Sequence, residues 1–267
     1  MMQEAAPTYP HLAVERDKDV LRVWLNRPEV HNALNGETMD SLRRCIQDAA
    51  AMPDVRMVVI GARGRTFCAG ADLNWMQAAL SWTFEENVAD ALRLADMLEA
   101  IENCPKPVIA RVNGSAFAGG IGVIAACDIA IAVREARFSL TEVRLGIVPA
   151  IISPYVIRKI GQGHARALFI TGEAIDAERA RELGLVHKVV DADGLDAAVE
   201  NVIGHIRRGG PRAVEAAKRL ALQVPRLDPA AIRRYTAELI ASLRVSEEGQ
   251  AGIRAFLERR LPPWVEP

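Results

Sequence analysis

Two stretches of this sequence could do chemistry, because each joins an apolar run to small residues and then to a second apolar run. In the first, Met57-Val-Val-Ile60 runs into Gly64-Arg-Thr-Phe-Cys-Ala-Gly-Ala-Asp72, with a helix expected from Leu73. In the second, residues 107–112 (PVIARV) read as a buried strand that stops at Asn113-Gly114. Gly119-Gly120 follow, with Gly122 beyond, and residues 123–127 read as a tightly packed helix. A strand that ends in glycines and feeds a helix exposes backbone N–H groups without intrahelical partners, and these attract negative charge. Taken alone, each glycine cluster is equally well explained by close packing. Two such junctions aimed at one point have the composition of an oxyanion hole, which stabilises a developing oxyanion by a few kcal/mol per donor.

The elements that must hold these junctions follow from periodicity. Residues 12–16 and 20–25 alternate around Asp17-Lys18-Asp19 as a β-hairpin that Arg27-Pro28 ends. Met39, Leu42, Ile46 and Ala49 are spaced for a helix over residues 37–52, which Pro53 stops, and a strand follows over 55–61. Residues 78–86 are polar and irregular, so they are expected to be mobile and to border a ligand pocket. A long helix over about 84–103 leads to the second junction. The recurrence of strand, helix and strand predicts an α/β fold with a parallel core and right-handed crossovers. After Pro154 the pattern is mostly helical apart from a short strand at 185–190. From Leu195 onward four helical segments, 195–207, 212–222, 229–243 and 247–259, carry no strand. The expected division is therefore a core over residues 1–194 and a helical region over 195–267.

Composition narrows the partners. Half of the 267 residues are hydrophobic, enough for one core with an appendage. A net charge of −1 argues against nucleic acid as the main partner. From His205 onward 12 Lys and Arg meet 7 Asp and Glu, a surplus that could face ligand phosphates or dress exposed helices. Cys45, Cys68, Cys104 and Cys127 form no CxxC pair, so neither zinc nor a disulfide framework is expected, and reduced thiols fit a cytoplasmic location. The histidines show no HxxxH spacing, and no metal site is expected. The N-terminal residues carry early acids and no apolar segment, unlike a secretory signal. The most apolar window, residues 115–133, is broken by glycines and by Asp128 and reads as core, not as a membrane span.

Several motifs in order resemble the crotonase superfamily, the enoyl-CoA hydratase and isomerase family. They are LNRPEVHNAL (25–34), FCAGADL (67–73), KPVIARVNG (106–114), Gly119-Gly120, CDIAIA (127–132), TEVRLGIVP (141–149), FITGEAIDAERARELGLV (169–186) and EGQAGIRAFLERR (248–260). The resemblance covers most of the chain. It implies a spiral of repeated ββα units with a C-terminal helical region that covers the active site and builds trimers, commonly paired into hexamers. It implies a coenzyme A thioester as the substrate, with no metal or redox cofactor. Carried over by position, the N–H groups of Ala71 and Gly119 hold the thioester oxygen. Cys68, Ala69, Gly70, Asp72, Leu73, Asn74 and Gly120 border the coenzyme A, and Phe256 with Arg259 or Arg260 lies near its adenine and phosphates. Glu142 adds or removes the proton at the α-carbon. By residue type alone Glu142 could instead pair with Arg144 or start a helix. A carboxyl group beside an acyl chain in a dry pocket has its pKa raised, which suits it to general acid-base work.

The departures are as informative. Gly122 stands where two-glutamate hydratases of this family carry their second acid. A single carboxylate could move a proton between two carbons, as isomerases do, or direct hydration if other polar groups fix the water. GGIGVIAACD followed by LTEVRLGIVPAIISPYV, with Ile151-Ile152-Ser153 in place of Gly-Gly-Thr, is similar to methylglutaconyl-CoA and carboxygeranoyl-CoA hydratases. The expected activity is hydration of a 2-enoyl-CoA thioester, with an enoyl-CoA delta-isomerase as the alternative and a non-catalytic acyl-CoA-binding protein behind it. A substrate of that subgroup has a second carboxylate, which Arg144 could meet unless it is a surface residue. Tyr155 and Lys159 match the YxxxK pair of short-chain dehydrogenases, and residues 114–122 faintly resemble their glycine turn. A dinucleotide fold places that turn after its first strand, whereas here it lies mid-chain, so the pair reads as one face of an ordinary helix.

Overall fold

The computed structural model describes residues 8–265, and the secretory-signal question falls on the segment only partly within them. Two compact units are present. The first comprises the chain up to Cys104 together with Val108–Ala198, and the second comprises Pro105–Pro107 and the chain from Val199.

A six-stranded sheet forms the centre of the first unit, in the order β1-β2-β3-β4-β6-β9. Its strands are β1 (Leu12–Asp17), β2 (Val20–Leu25), β3 (Met57–Ala62), β4 (Val108–Val112), β6 (Ile129–Val133) and β9 (Lys188–Val190). Only the β1–β2 hairpin is antiparallel; every later pairing is parallel. All six residues of β3 are buried, as a strand covered on both faces requires. A separate three-stranded sheet, ordered β5-β7-β8, was not anticipated from sequence. It contains β5 (Ala116–Phe117), β7 (Arg137–Ser139) and β8 (Ala174–Asp176). These strands have two or three residues each, too few for a period-two pattern to show.

Helix α1 (Gly36–Ala51) begins where the Asn35 side chain accepts from Thr38 N–H, and it buries Met39, Leu42, Ile46 and Ala49. Helix α2 (Leu73–Ala79) is short, and α3 (Phe84–Asn103) opens with a reciprocal cap between Thr83 and Glu86. The irregular segment expected at 78–86 is thus reduced to the connection between α2 and α3, because this cap starts the second helix early. Helix α4 (Gly119–Ala126) is buried from Gly120 on, which its small side chains permit. Helix α5 (Ser153–Thr171) bends at Gly161, whose φ of 77° is left-handed. On it, Lys159 Nζ donates to Asp128 O and Tyr155 lies under the Arg158 guanidinium, as an ordinary helix face does. Helix α6 (Ala177–Glu182) precedes β9.

Helix α7 (Leu195–Arg207) contributes its first four residues to the first unit and the rest to the second. The first turn belongs with the sheet because Leu195 and Ala198 are buried and Asp196 accepts from Arg111 of β4. The second unit adds α8 (Pro211–Gln223), α9 (Pro229–Val245) and α10 (Glu247–Leu257). Glu248 caps α8 from α10, accepting from the N–H groups of Arg212 and Ala213. Trp264 donates to Arg208 O and packs where any side chain at Gly252 would sit.

Candidate active site

The two glycine junctions meet. Gly70 has φ 93°, and a side chain there would come within 3.2 Å of Ala118 Cβ, so only glycine allows the loops this close. Cys68 pairs with Ala116 as a parallel bridge, and Leu34 pairs with Ala71 in the same way. These pairings decide which N–H groups stay free. Phe67 and Cys68 N–H donate to Ser115 O, Ala69 N–H to His31 O, and Asp72 N–H to Leu34 O. Gly70 N–H faces Cys68 Sγ at 3.5 Å. Among the described residues, Ala71 N–H has no acceptor. At the other junction Phe117 N–H donates to Cys68 O and Ala118 N–H to Ser139 O. The next N–H groups, of Gly119 and Gly120, belong to the first turn of α4, where no intrahelical acceptor exists. Ala118 itself has φ 46°, a strained conformation for alanine that turns the chain into α4 at this point.

The Ala118 to Ser139 bond also brings in Glu142. Ser139 ends β7, pairs with Phe117 of β5, and lies just before the one-turn helix Glu142–Leu145. Glu142 is half-buried, and its Oε2 is fully covered without a hydrogen-bond partner. Burial pushes its carboxyl pKa above the ordinary glutamate value, with its own backbone N–H opposing the shift.

Ala71, Gly119 and Glu142 line one cavity of about 360 Å³. Most of its wall is apolar, with Leu34, Met39, Leu94, Val148 and Ile152 among the contributors, and Trp75 and Asp90 complete one side. Among the described residues, no Lys, Arg or His lines it. Two free donors and one unpartnered carboxyl group facing an apolar space can hold an oxyanion and move a proton on the adjacent carbon.

The other residues singled out from sequence have varied places. Gly70 also lines the cavity, whereas Leu73 and Asn74 open α2 on the exposed surface beside exposed Ala69. The Cys68 side chain is fully buried, its thiol pushed up to about 12 by burial, and Gly120 packs directly on it. Asp72 is 4% exposed, and its carboxylate is spent inside the protein. It pairs with Arg27 at 2.8 Å and caps α2 by accepting from Asn74 and Trp75 N–H. Burial raises the Asp72 pKa, but the Arg27 bond and charge and the two cap donors outweigh that, for a net lowering. Its side chain therefore fixes the loop. Arg144 is exposed, donates to Gly172 O at 2.8 Å and does not line the cavity. Phe256 is an exposed side chain of α10 in the second unit, where Arg260 pairs with Glu258.

Gly122 is closed off. A side chain there would begin 2.4 Å from Ile152 Cγ2 and 3.3 Å from Leu98 Cδ1. Ile152 thus fills the space a second acid would need. Gly122→Glu is expected to destabilise the fold by about 1–3 kcal/mol through overpacking alone, with more from burying an unpaired carboxylate. Adding Ile152→Ala should recover part of the loss, which thermal denaturation of both variants checks.

Sequence reasoning missed Arg27, Trp75 and Asp90. Asp90 carried a legible signal: it is an acid four residues before Leu94, on the face of α3 that continues to buried Met97, Leu98 and Ile101.

The enoyl-CoA hydratase/isomerase family matches residues 15–267. The chain is 32% identical to a crotonyl-CoA hydratase of Syntrophomonas wolfei, covering 94% of this chain and 96% of the relative. It is 34% identical to a 2,3-dehydroadipyl-CoA hydratase of Escherichia coli, over 94% and 97%. The solved structure of an enoyl-CoA hydratase from Shewanella pealeana superposes with a TM-score of 0.92 at 37% identity, covering 96% of each chain.

Proposed function

Because this chain belongs to the enoyl-CoA hydratase/isomerase family, with a crotonase fold, we propose that it hydrates a 2-enoyl-CoA thioester. One observation carries the reading. The buried, unpartnered Glu142 Oε2 shares a cavity with the free N–H groups of Ala71 and Gly119. In this reading the two N–H groups receive the thioester oxygen, which polarises the conjugated double bond. Water adds at the β-carbon, and Glu142, whose pKa burial raises, supplies the α-proton from its protonated form. The reaction moves a water and protons only, and calls for no redox group.

The apolar wall and the lack of a lining cation favour a short, neutral acyl chain over one ending in a carboxylate. An anionic terminus would meet Asp90 and Glu142 with no positive partner among the described lining residues. Crotonyl-CoA is therefore expected to be turned over faster than 3-methylglutaconyl-CoA. The segment 68–74 and Gly120 border the coenzyme A in this reading, with Phe256 near the adenine. Exposed Ile253, Phe256, Leu257 and Leu261 of the second unit support self-association as a trimer or a dimer of trimers. No helix among the described residues is long and apolar enough to cross a membrane. The described cysteines form no disulfide, in keeping with the cytoplasm as the proposed location.

The test uses the half of the chemistry that needs no water. Exchange of the α-proton of butyryl-CoA into deuterium oxide requires Glu142 as an ionised base and the two N–H donors. Because burial raises its pKa, the exchange rate should climb with pH to a plateau, with a midpoint above the ordinary glutamate value. A wild-type protein with no exchange at any pH would contradict the assigned roles.

A further inference from the structure

Hydration needs a group that takes a proton from the attacking water, and Gly122 with Ile152 above it excludes one from the position the resemblance suggests. A second carboxylate nevertheless reaches the cavity from α3. Asp90 Oδ2 accepts from Trp75 Nε1 at 3.2 Å. Trp75 is itself held, packed against Gly36 and edge-on to Trp82 with ring centroids 5.2 Å apart. With one oxygen fixed in this way, Asp90 Oδ1 is covered from solvent and has no hydrogen-bond partner. Among the described side chains lining the cavity, only Glu142 shares that state. A covered acceptor without a donor is satisfied by water where the site is polar and roomy enough.

We propose that Asp90 holds the nucleophilic water and accepts its proton, taking the part of the acid that Gly122 lacks. This rests on the hydratase reading above. As the water oxygen bonds to the β-carbon, one O–H bond breaks and its proton passes to Asp90 Oδ1. The enolate held by Ala71 and Gly119 takes the Glu142 proton at the α-carbon. Return of the Asp90 proton to Glu142 through solvent resets the site, so atoms and charge balance over the cycle. Trp75 is a positioning residue that acts through Asp90.

The test separates hydration from proton transfer at carbon. Asp90→Asn can still accept from Trp75 but turns a donor toward the cavity. Its kcat for crotonyl-CoA hydration should fall about 10²-fold, while butyryl-CoA α-proton exchange stays within about threefold of wild type. Retained exchange also shows that the variant folds. Trp75→Phe removes the indole donor and should lower hydration about tenfold with the same sparing of exchange. Asp90→Asn that hydrates like wild type overturns the proposal. So does an equal loss of both activities, which would make Asp90 a structural residue. A wild-type protein that exchanges but never hydrates removes the hydratase reading and this inference together. A hydrating wild type with an unaffected Asp90→Asn removes this inference alone.

Discussion

Glutamine in place of Glu142 is expected to lower turnover of a 2-enoyl-CoA thioester about 10³-fold, within the range removed with a positioned proton donor. The substitution keeps the side-chain volume and the one-turn helix that carries it, so the fold and thioester binding should persist. The loss should appear in kcat, with KM little changed, because the proton moves only in the transition state. Steady-state kinetics on crotonyl-CoA check this, and a variant retaining more than about a tenth of wild-type turnover would show that another group moves the α-proton. Glu142→Asp should recover little, since a shorter side chain leaves the carboxyl group about 1 Å from its required place.

The second large effect concerns stability. Asp72→Ala removes the partner of Arg27, whose side chain is only 14% exposed, and strips the cap from α2. Breaking a buried pair costs about 3–5 kcal/mol and losing a cap about 1 kcal/mol. The denaturant midpoint should fall accordingly. Turnover should fall too, because Ala71 precedes Asp72 and its N–H direction depends on the same loop. Asp72→Asn keeps the cap and loses the charge, so its deficit should be smaller and pH-dependent. The folded-state pKa of Asp72 is lowered, so its ionic contribution is fully present above the unfolded pKa. It is lost as pH falls through the folded value. The stability gap between wild type and Asp72→Asn should therefore be constant near neutrality and close in acid.

Much of the fold was legible because its elements are long and strongly patterned. The helix expected over 84–103 is α3, Phe84–Asn103, and the apolar runs beside both glycine junctions are the buried strands β3 and β4. The family's motifs located Glu142 and both junctions, but not the reason the donors are free. Leu34, from a distant part of the chain, pairs with Gly70 O and Asp72 N–H on either side of Ala71, whose own N–H has no acceptor among the described residues. Such cross-chain pairing leaves no local pattern. Asp72 shows the same limit: its place in the motif is legible in sequence, whereas its pairing with Arg27 is not. Asp90 escaped notice because an acid within a polar helical start looks solvated until Trp75 is placed beside it.

The measurement that tests the central claim most directly is incubation of the purified protein with crotonyl-CoA in deuterium oxide, followed by mass spectrometry and proton NMR. The account predicts a 3-hydroxyacyl product carrying one deuterium at the α-carbon, formed by wild type and nearly abolished in Glu142→Gln. Crotonyl-CoA left unhydrated, alongside a 3-enoyl-CoA whose double bond migrates without water uptake, would contradict it and make the chain an isomerase with Glu142 working alone.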